Sequence, residues 1–350
     1  MTLNADAESV DGYDIQKNGT DGSGIINFKT SSGIITIDGT EIAGATINED
    51  IQEITIDGVT AWQRLTGAKY IYAGGSGGTL HKIDSEGNEI WTRENVSNTI
   101  SAIEVDSNGN IFVGDHGGNV KKYLSDNTFE WEYQGHTEFE SINHLAIGPN
   151  DYIYSASADN EVHKINQSGN NEWKYTGHGS YVNCVGVDSN GNVYSGDSNN
   201  EVHKISGGSQ DWIYTEHEDK VEALAIGPND FIYSGAGGYL HKIDSSGNQE
   251  WSTILGAAAY DIVVDHKGFS YSALNYYSEL HKLDDQNSEQ WVYSGHSSGL
   301  QAVAVSETSD VYSYSGGEDN ELHKVDPNGN KVWSYTNFSD YVRAISVYTP

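Results

Sequence analysis

Residues 80–91 read LHKIDSEGNEIW, and three near copies of this stretch follow along the chain. The copies are VHKINQSGNNEW, LHKIDSSGNQEW and LHKVDPNGNKVW, which end at Trp173, Trp251 and Trp333. Each copy contains a short apolar segment, a turn built around Gly-Asn, and a closing tryptophan. Because glycine adopts a positive φ at little cost, the stretch predicts two strands joined by a tight turn.

The tryptophans that close these stretches recur with a period near 40 residues. The spacings are 40, 42, 39, 39, 40 and 42 residues for Trp91, Trp131, Trp173, Trp212, Trp251, Trp291 and Trp333. One unit divides into strand-like segments at 181–187, 193–196, 201–205 and 211–215, rich in Val, Ile, Tyr or Trp and bounded by turn residues. Four short strands at this period are typical of a β-propeller blade, so the fold class is predicted to be all-β, with a seven-bladed β-propeller.

The repeat also predicts how the blades pack and how the ring closes. One blade cannot cover both of its faces, so each tryptophan is expected to bury its ring against a neighbouring blade. The repeat begins in mid-blade at 70–73 and ends with a lone strand at 341–348. This last strand is expected to complete the first blade, so that residues 67–350 form the propeller.

The charge of the chain limits its partners. Its 350 residues include 51 Asp and Glu against 18 Lys and Arg, a net charge of -33. This excess disfavours nucleic acid and anionic membranes, which attract basic surfaces. Near 1 M salt the Debye length falls to about 3 Å and screens the self-repulsion, so the composition favours a halophilic protein over an ordinary acidic one. Cys184 is the only cysteine, which excludes an intrachain disulfide.

Residues 1–66 do not follow the period and are predicted to form a small β-rich domain. Strands are predicted at 24–29, 34–37 and 51–56, with hairpin turns at Asp38-Gly39 and Asp57-Gly58. A segment this short has little core, so we expect it to anchor the chain to a partner or to copies of itself, giving a homo-oligomer. No signal peptide and no apolar run near the ~20 residues of a membrane helix is visible, so membrane insertion is not expected.

The motifs resemble two propeller families. D-x-x-G-N-x-x-W is similar to the tryptophan-docking motif of quinoprotein-like (PQQ-like) repeats, which usually has one more residue before its glycine. The Gly-His pairs at 135–136, 177–178 and 295–296, with Asp319 in GEDNELHKVD, resemble WD40 repeats, although no Trp-Asp dipeptide follows. These resemblances imply the fold and hardly any activity. ITIDGT at 35–40 and EITIDGVTAW at 53–62 resemble β modules in structural proteins of tailed viruses that infect haloarchaea.

Two sets of histidines could carry chemistry, the first as metal ligands and the second as catalytic residues. Six occupy one position of the third strand: His81, His163, His203, His241, His281 and His323. Equivalent side chains of successive blades lie too far apart to share a zinc shell with bonds of ~2 Å, so these histidines are interpreted as structural. The second set precedes a first strand and is also interpreted as structural: His136, His178, His217 and His296, with His136 expected to bond Asp159 and His296 to bond Asp319.

Other motifs that carry chemistry are missing or weak. The DSNGN turns at 106–110 and 188–192 have oxygen ligands for Ca²⁺ but lack the alternating acidic residues of a D-x-D-x-D-G loop. No nucleophile elbow, P-loop, HExxH or dinucleotide fingerprint is present. No catalytic residue, metal ligand or cofactor is therefore predicted.

The turns between second and third strands and the connections from fourth strands to the next blade share one face of the disc, named here the loop face. The residues predicted to bind a ligand lie there: Asp115, His116, Asp159, Asp197, Tyr239, Tyr276, Tyr277 and Asp319. Tyrosines beside polar acceptors suit recognition of glycans or proteins. The alternative is that these loops are only solvated.

Together these features predict a non-enzymatic structural protein on the capsid or tail surface of a haloarchaeal tailed virus, made in the host cytoplasm without a signal peptide. Residues 1–66 are expected to contact other virion proteins, and the propeller a glycan or protein of the host surface. One alternative is a cellular haloarchaeal PQQ-like or WD40-like scaffold or adhesin. Another is a carbohydrate-active enzyme, which carboxylates about 5–10 Å apart at the mouth of the central channel would favour.

Overall fold

The computed structural model describes residues 70–306 and 310–349, together with short strands within the first 63 residues. The chain divides into two units, Met1–Thr66 and Gly67–Pro350. The strands of the first unit are Ser9–Val10, Tyr13–Asp14, Ile26–Lys29, Ile34–Ile37, Thr40–Glu41, Glu53–Ile56 and Val59–Gln63. They overlap all three strands predicted there, whereas the predicted turns at 38–39 and 57–58 lie outside the described residues.

The second unit contains seven four-stranded antiparallel sheets, numbered here as blades 1 to 7. In hydrogen-bonded order, blade 1 consists of Val342–Tyr348, Tyr70–Gly75, Leu80–Asp84 and Glu89–Arg93; blade 2 of Ile100–Val105, Ile111–Asp115, Val120–Tyr123 and Phe129–Tyr133; blade 3 of Ile142–Ile147, Ile153–Ser157, Val162–Ile165 and Asn171–Tyr175. Blade 4 consists of Val182–Val187, Val193–Asp197, Val202–Ser206 and Ser209–Tyr214; blade 5 of Val221–Ile226, Ile232–Ala236, Tyr239–Ile243 and Gln249–Ile254. Blade 6 consists of Ala259–Val264, Ser270–Leu274, Glu279–Leu283 and Glu289–Tyr293; blade 7 of Leu300–Val305, Ser313–Gly317, Leu322–Val325 and Lys331–Tyr335.

The helical elements are short turns. Pro149–Asp151 and Pro228–Asp230 form single 3-10 turns between first and second strands. Among the described residues, no helix has the length and apolar character needed to cross a membrane.

The blades form a closed ring. The first strand of each blade packs against the first strands of both neighbouring blades, so these strands surround a central channel. Val342–Tyr348 pairs with Tyr70–Gly75, in a register that places Val347 opposite Ile71. The seven-bladed propeller and its closure by the last strand are therefore confirmed.

The core lies between the blades and not at the centre of the ring. A separate cluster of buried apolar residues fills each of the seven interfaces. Between blades 2 and 3, for example, Phe112 and Val120 pack with Leu145 and Ile153. Each interface thus buries the two sheet faces that a single blade would leave exposed.

The tryptophan of one blade docks on the turn before the fourth strand of the next blade. Trp131 donates a hydrogen bond from Nε1 to the carbonyl of Gln167 at 3.0 Å, and its ring lies against Gly169. Trp333 docks in the same way on Ser85 and Gly87, which joins blade 7 to blade 1. These glycines have positive φ angles, as predicted, and a Cβ atom there would also meet the indole ring. In blades 2 and 6 an asparagine takes the glycine position, with φ of 73° at Asn127 and 68° at Asn287.

Candidate functional site

The four aspartates predicted on the loop face stabilise its turns. Asp115 accepts hydrogen bonds from the backbone of Gly117 and Asn119, and Asp197 from that of Asn199 and Glu201. The other two bond histidines as the sequence predicted: His136 to Asp159 at 2.9 Å, and His296 to Asp319 at 2.9 Å. Since these carboxylates are buried and engaged, their contribution to the face is to fix its shape.

Stacked histidine pairs lie at several blade junctions. The rings of His136 and His163 have centroids 3.7 Å apart and are nearly parallel. His136 bonds Asp159 and Ser155, while His163 bonds Tyr133 and Glu161. Burial, and after it the neighbouring His136, lowers the pKa of His163 to about 4.

The same pairs supply two groups with the spacing of metal ligands. These groups are His136, Asp159 and His163, and His178, Asp197 and His203. Every ring nitrogen in them already has a hydrogen-bond partner in the protein. A metal ion would have to displace those partners, so the geometry favours the structural interpretation.

The other predicted loop-face residues are exposed, and three of them are tyrosines of blades 5 and 6. Tyr276 and Tyr277 are 83% and 49% exposed and meet edge to face, with centroids 5.3 Å apart. Tyr239 is exposed on the third strand of blade 5, opposite the exposed Ile254. We name Tyr239, Ile254, Tyr276 and Tyr277 the tyrosine patch.

The junction between blades 5 and 6, which lies beside part of the tyrosine patch, is irregular. Ala259 begins the next first strand 8 positions after Trp251, whereas this distance is 9 positions at five other junctions. Thr253 stands where Tyr175 or Tyr214 is buried in other blades, two residues after the tryptophan. Ile254, three residues after Trp251, is exposed like the polar residues at this position of other blades, such as Thr176 and Thr215.

A concave pocket lies on the loop face between blades 1, 2 and 3, and we name it the blade 2 pocket. Its volume is about 780 Å³. It is lined by Asn95, Val96, Ser97, Asn98, Thr99, Asp115, His116, Gly117, Gly118, Asn119, Lys121, Gln134, His136, Glu138 and Phe139. Two predicted residues, Asp115 and His116, therefore lie in one pocket, while Phe139 was missed by the sequence reasoning.

The charged groups of the blade 2 pocket are largely paired. Lys121 lies 3.0 Å from Asp115 and 3.6 Å from Glu132, and it donates a hydrogen bond to the carbonyl of Val96. Partial burial, and after it the positive charge of Arg343, holds the pKa of His116 below its ordinary value. The pocket therefore offers amides, an imidazole and an aromatic ring beside the paired Lys121 and Asp115.

The central channel contains ionisable groups that the sequence reasoning missed. The channel has a volume of about 610 Å³ and is lined mainly by Ala, Val and Ile of the seven first strands. Glu104, His144 and Asp261 also line it. Burial is the main cause that raises the pKa of Glu104 to about 8 and that of Asp261 to about 7, and it lowers the pKa of His144 to about 4.

The two channel carboxylates differ in their partners. Asp261 accepts hydrogen bonds from the backbone N–H groups of Ile262 and Val303, each at 2.9 Å, and so links blade 6 to blade 7. Glu104 accepts one from the hydroxyl of Ser346 at 3.3 Å. The signal that could have found Asp261 is its register position, where blades 2, 5 and 7 have alanine.

No protein-family model matches the chain, and no curated protein matches it. The class of the protein is therefore the one that the fold defines, a seven-bladed β-propeller. Its function has to be argued from the chemistry of its surface.

Proposed function

We propose that this propeller is a non-enzymatic binding protein, which recognises a ligand on a host cell surface through its loop face. The observation that carries the proposal is the exposure of large apolar side chains on the loop face. These side chains are the tyrosine patch and Phe139. Exposed aromatic rings gathered on one face of a soluble protein are typical of recognition surfaces.

The proposed setting is the surface of a virion of a haloarchaeal tailed virus, on the capsid or the tail. It is supported by the net charge of -33 and by the likeness of residues 35–40 and 53–62 to β modules of such viruses. In this proposal residues 1–66 contact other virion proteins and form a homo-oligomer, and the propeller resembles PQQ-like and WD40-like repeats in fold alone. A cellular scaffold or adhesin would use the same face.

The test compares two double variants of the full-length protein. Tyr276→Ala with Tyr277→Ala removes two exposed rings of the loop face, while Ile90→Ala with Val332→Ala removes apolar side chains that are each 50% exposed on fourth strands. Binding of labelled protein to haloarchaeal cells is measured by flow cytometry in about 3 M KCl, where surface charges are screened. The tyrosine variant is expected to bind about tenfold or more weakly, and the control variant unchanged. Equal loss in both variants, or none in either, contradicts the proposal.

A carbohydrate-active enzyme is a second candidate because Glu104 and Asp261 line the channel with raised pKa values. Against it, both oxygens of Asp261 are held by backbone N–H groups, which suits a structural link between blades better than a nucleophile or base. Hydrolysis of neutral oligosaccharides by the wild type, abolished in Glu104→Gln, would establish the enzyme instead.

A further inference from the structure

The connection between blades 2 and 3 is longer than the others. Ile142 follows Trp131 by 11 positions, whereas five other junctions need 9. The longer connection carries Phe139, whose φ is 68° and whose side chain is 78% exposed. The positive φ and the exposed ring do not stabilise the fold, because the left-handed region is unfavourable for phenylalanine and the ring remains in water.

Hydrogen bonds hold Phe139 in this unfavourable conformation. Its N–H donates to the carbonyl of Gly117 at 3.1 Å, and the N–H of Glu140 donates to the carbonyl of Thr137 at 3.1 Å. The turn that contains Gly117 is itself fixed by Asp115. The conformation of the loop is therefore fixed by hydrogen bonds, and it places the ring of Phe139 at the edge of the blade 2 pocket.

A second loop contributes polar groups to the pocket that contains Phe139. Asn95 and Asn98 belong to the connection between blades 1 and 2, and Asn95 also has a positive φ, of 56°. In the same wall, the Oγ atom of Ser97 is buried without a hydrogen-bond partner among the described residues. Buried hydroxyls are almost always bonded, so this one can take a further polar partner such as a water molecule.

We propose that the blade 2 pocket binds a neutral saccharide, with one sugar ring against Phe139 and its hydroxyls bonded to the amides of Asn95 and Asn98. This inference rests on the proposed binding function and adds a second site on the loop face with its ligand class. An aromatic ring beside groups that both donate and accept hydrogen bonds matches the C–H face and the hydroxyl edge of a pyranose. An anionic ligand fits less well because Lys121 is already paired with Asp115 and the chain carries a net charge of -33.

The size of the pocket agrees with an oligosaccharide of a few units. Ligand pockets of about 300–1,000 Å³ take small organic molecules, and this pocket has about 780 Å³. The concave shape, with walls from two different connections, lets the ligand be contacted from both sides. Selectivity for one sugar would come from the amides, because the ring of Phe139 contacts any pyranose with an apolar face.

The experiment titrates the full-length protein with neutral disaccharides, namely chitobiose, mannobiose, lactose and maltose, by saturation-transfer NMR and calorimetry in about 3 M KCl. At least one is expected to bind saturably. Phe139→Ala should weaken that binding about tenfold or more, whereas Phe129→Ala, a change at a half-exposed phenylalanine outside the pocket, should leave it unchanged. Phe139→Gly should also lose binding, yet melt at the same or a higher temperature, because glycine accepts the positive φ.

Three outcomes overturn this inference. If none of the four disaccharides binds, or if the ligand binds as well to Phe139→Ala as to the wild type, the assignment is wrong. If Tyr276→Ala with Tyr277→Ala abolishes disaccharide binding and Phe139→Ala does not, the sugar binds at the tyrosine patch. Loss of cell binding in the tyrosine variant would still support the proposed function in each of these cases, so the two proposals fail separately.

Discussion

Histidine, serine and aspartate form the same bonded group at three blade junctions. His136, His178 and His296 each bond one serine and one aspartate. The fourth member, His217, bonds Ser234, but Gly237 stands in the turn where other blades have the aspartate, and its Nδ1 has no partner among the described residues. Burial, and after it the neighbouring His241, lowers the pKa of His217 to about 3.

These groups predict how stability depends on pH. The pKa of His163 is about 4 in the folded chain, against an ordinary value of 6.5. Between these pH values the unfolded chain therefore binds a proton at this histidine that the folded chain does not bind. Stability should therefore fall as the pH drops from about 6.5 to about 4, with each such histidine contributing up to about 1.4 kcal/mol per pH unit. His144 and His217 act in the same direction.

A second loss should follow at lower pH. Burial alone would raise the pKa of Asp159, but the hydrogen bonds and charge of His136, with backbone N–H groups, outweigh it and lower the pKa to about 2. Its stabilising contribution is present above the ordinary value of 3.8 and is lost as the pH falls toward 2.

Denaturant unfolding at pH 7, 5.5 and 4.5 tests the contribution of the histidines. His163→Gln should reduce the loss of stability over this range. A stability that is constant from pH 7 to 4.5 would contradict the assignment.

At the scale of elements, the tight turn before each fourth strand receives the tryptophan of the preceding blade. A Cβ atom at Gly169 would lie 2.9 Å from the indole of Trp131, at a φ of 78°. Gly191 provides a matched control, since its φ is 82° and a Cβ atom there would meet nothing within 4 Å. Both glycines therefore require a positive φ, but only Gly169 lies against a tryptophan ring.

This pair of glycines predicts two different costs for the same substitution. Gly191→Ala should lower the free energy of unfolding by about 1 kcal/mol, through the left-handed backbone alone. Gly169→Ala should cost about 2–4 kcal/mol, because the methyl group also displaces the indole and its hydrogen bond to Gln167. Guanidinium unfolding at fixed KCl measures both. Equal costs would mean that tryptophan docking contributes little to the interface.

The elements that repeat could be predicted from the sequence, and those that occur once could not. The Gly-Asn turn and the tryptophan period specify strands, blades and ring closure, because each copy confirms the others. Asp159 could be read in two ways, as a ligand group on the loop face and as the partner of His136, and its bonds favour the second. Phe139 and Asp261 were not predicted, because each lies at a departure from the repeat that occurs in one blade. A feature that occurs once cannot be recognised by comparing the blades with one another. The spacing of 42 residues between Trp131 and Trp173 was the available signal for Phe139.

At the scale of the whole molecule, the distribution of lysine makes the exterior more acidic than the net charge suggests. Seven of the 18 basic residues occupy one position of the third strands, namely Lys82, Lys122, Lys164, Lys204, Lys242, Lys282 and Lys324. Their ammonium groups lie over aromatic rings of the second strands, and several bond the turn of the next blade, as Lys324 bonds the carbonyl of Ser85. Cations placed between blades stabilise the ring and leave the acidic exterior with few neighbours of opposite sign.

This distribution predicts a strong dependence of stability on salt. Repulsion among exposed carboxylates is long-ranged in dilute buffer and nearly vanishes when the Debye length falls to about 3 Å near 1 M salt, whereas the lysines between blades are shielded by burial. The melting temperature should therefore rise by tens of degrees between about 0.1 M and about 3 M KCl.

A triple variant tests this cause by removing three exposed carboxylates, Glu94→Gln, Glu218→Gln and Glu250→Gln. It should melt higher than the wild type in about 0.1 M KCl and at nearly the same temperature in about 3 M KCl. Sucrose matched for its effect on water activity serves as the control, because it favours compact states without screening charge. If sucrose stabilises as well as KCl, or if the wild type melts as high at low salt as at high salt, electrostatic repulsion is not what limits the fold, and the argument from charge to a halophilic origin fails with it.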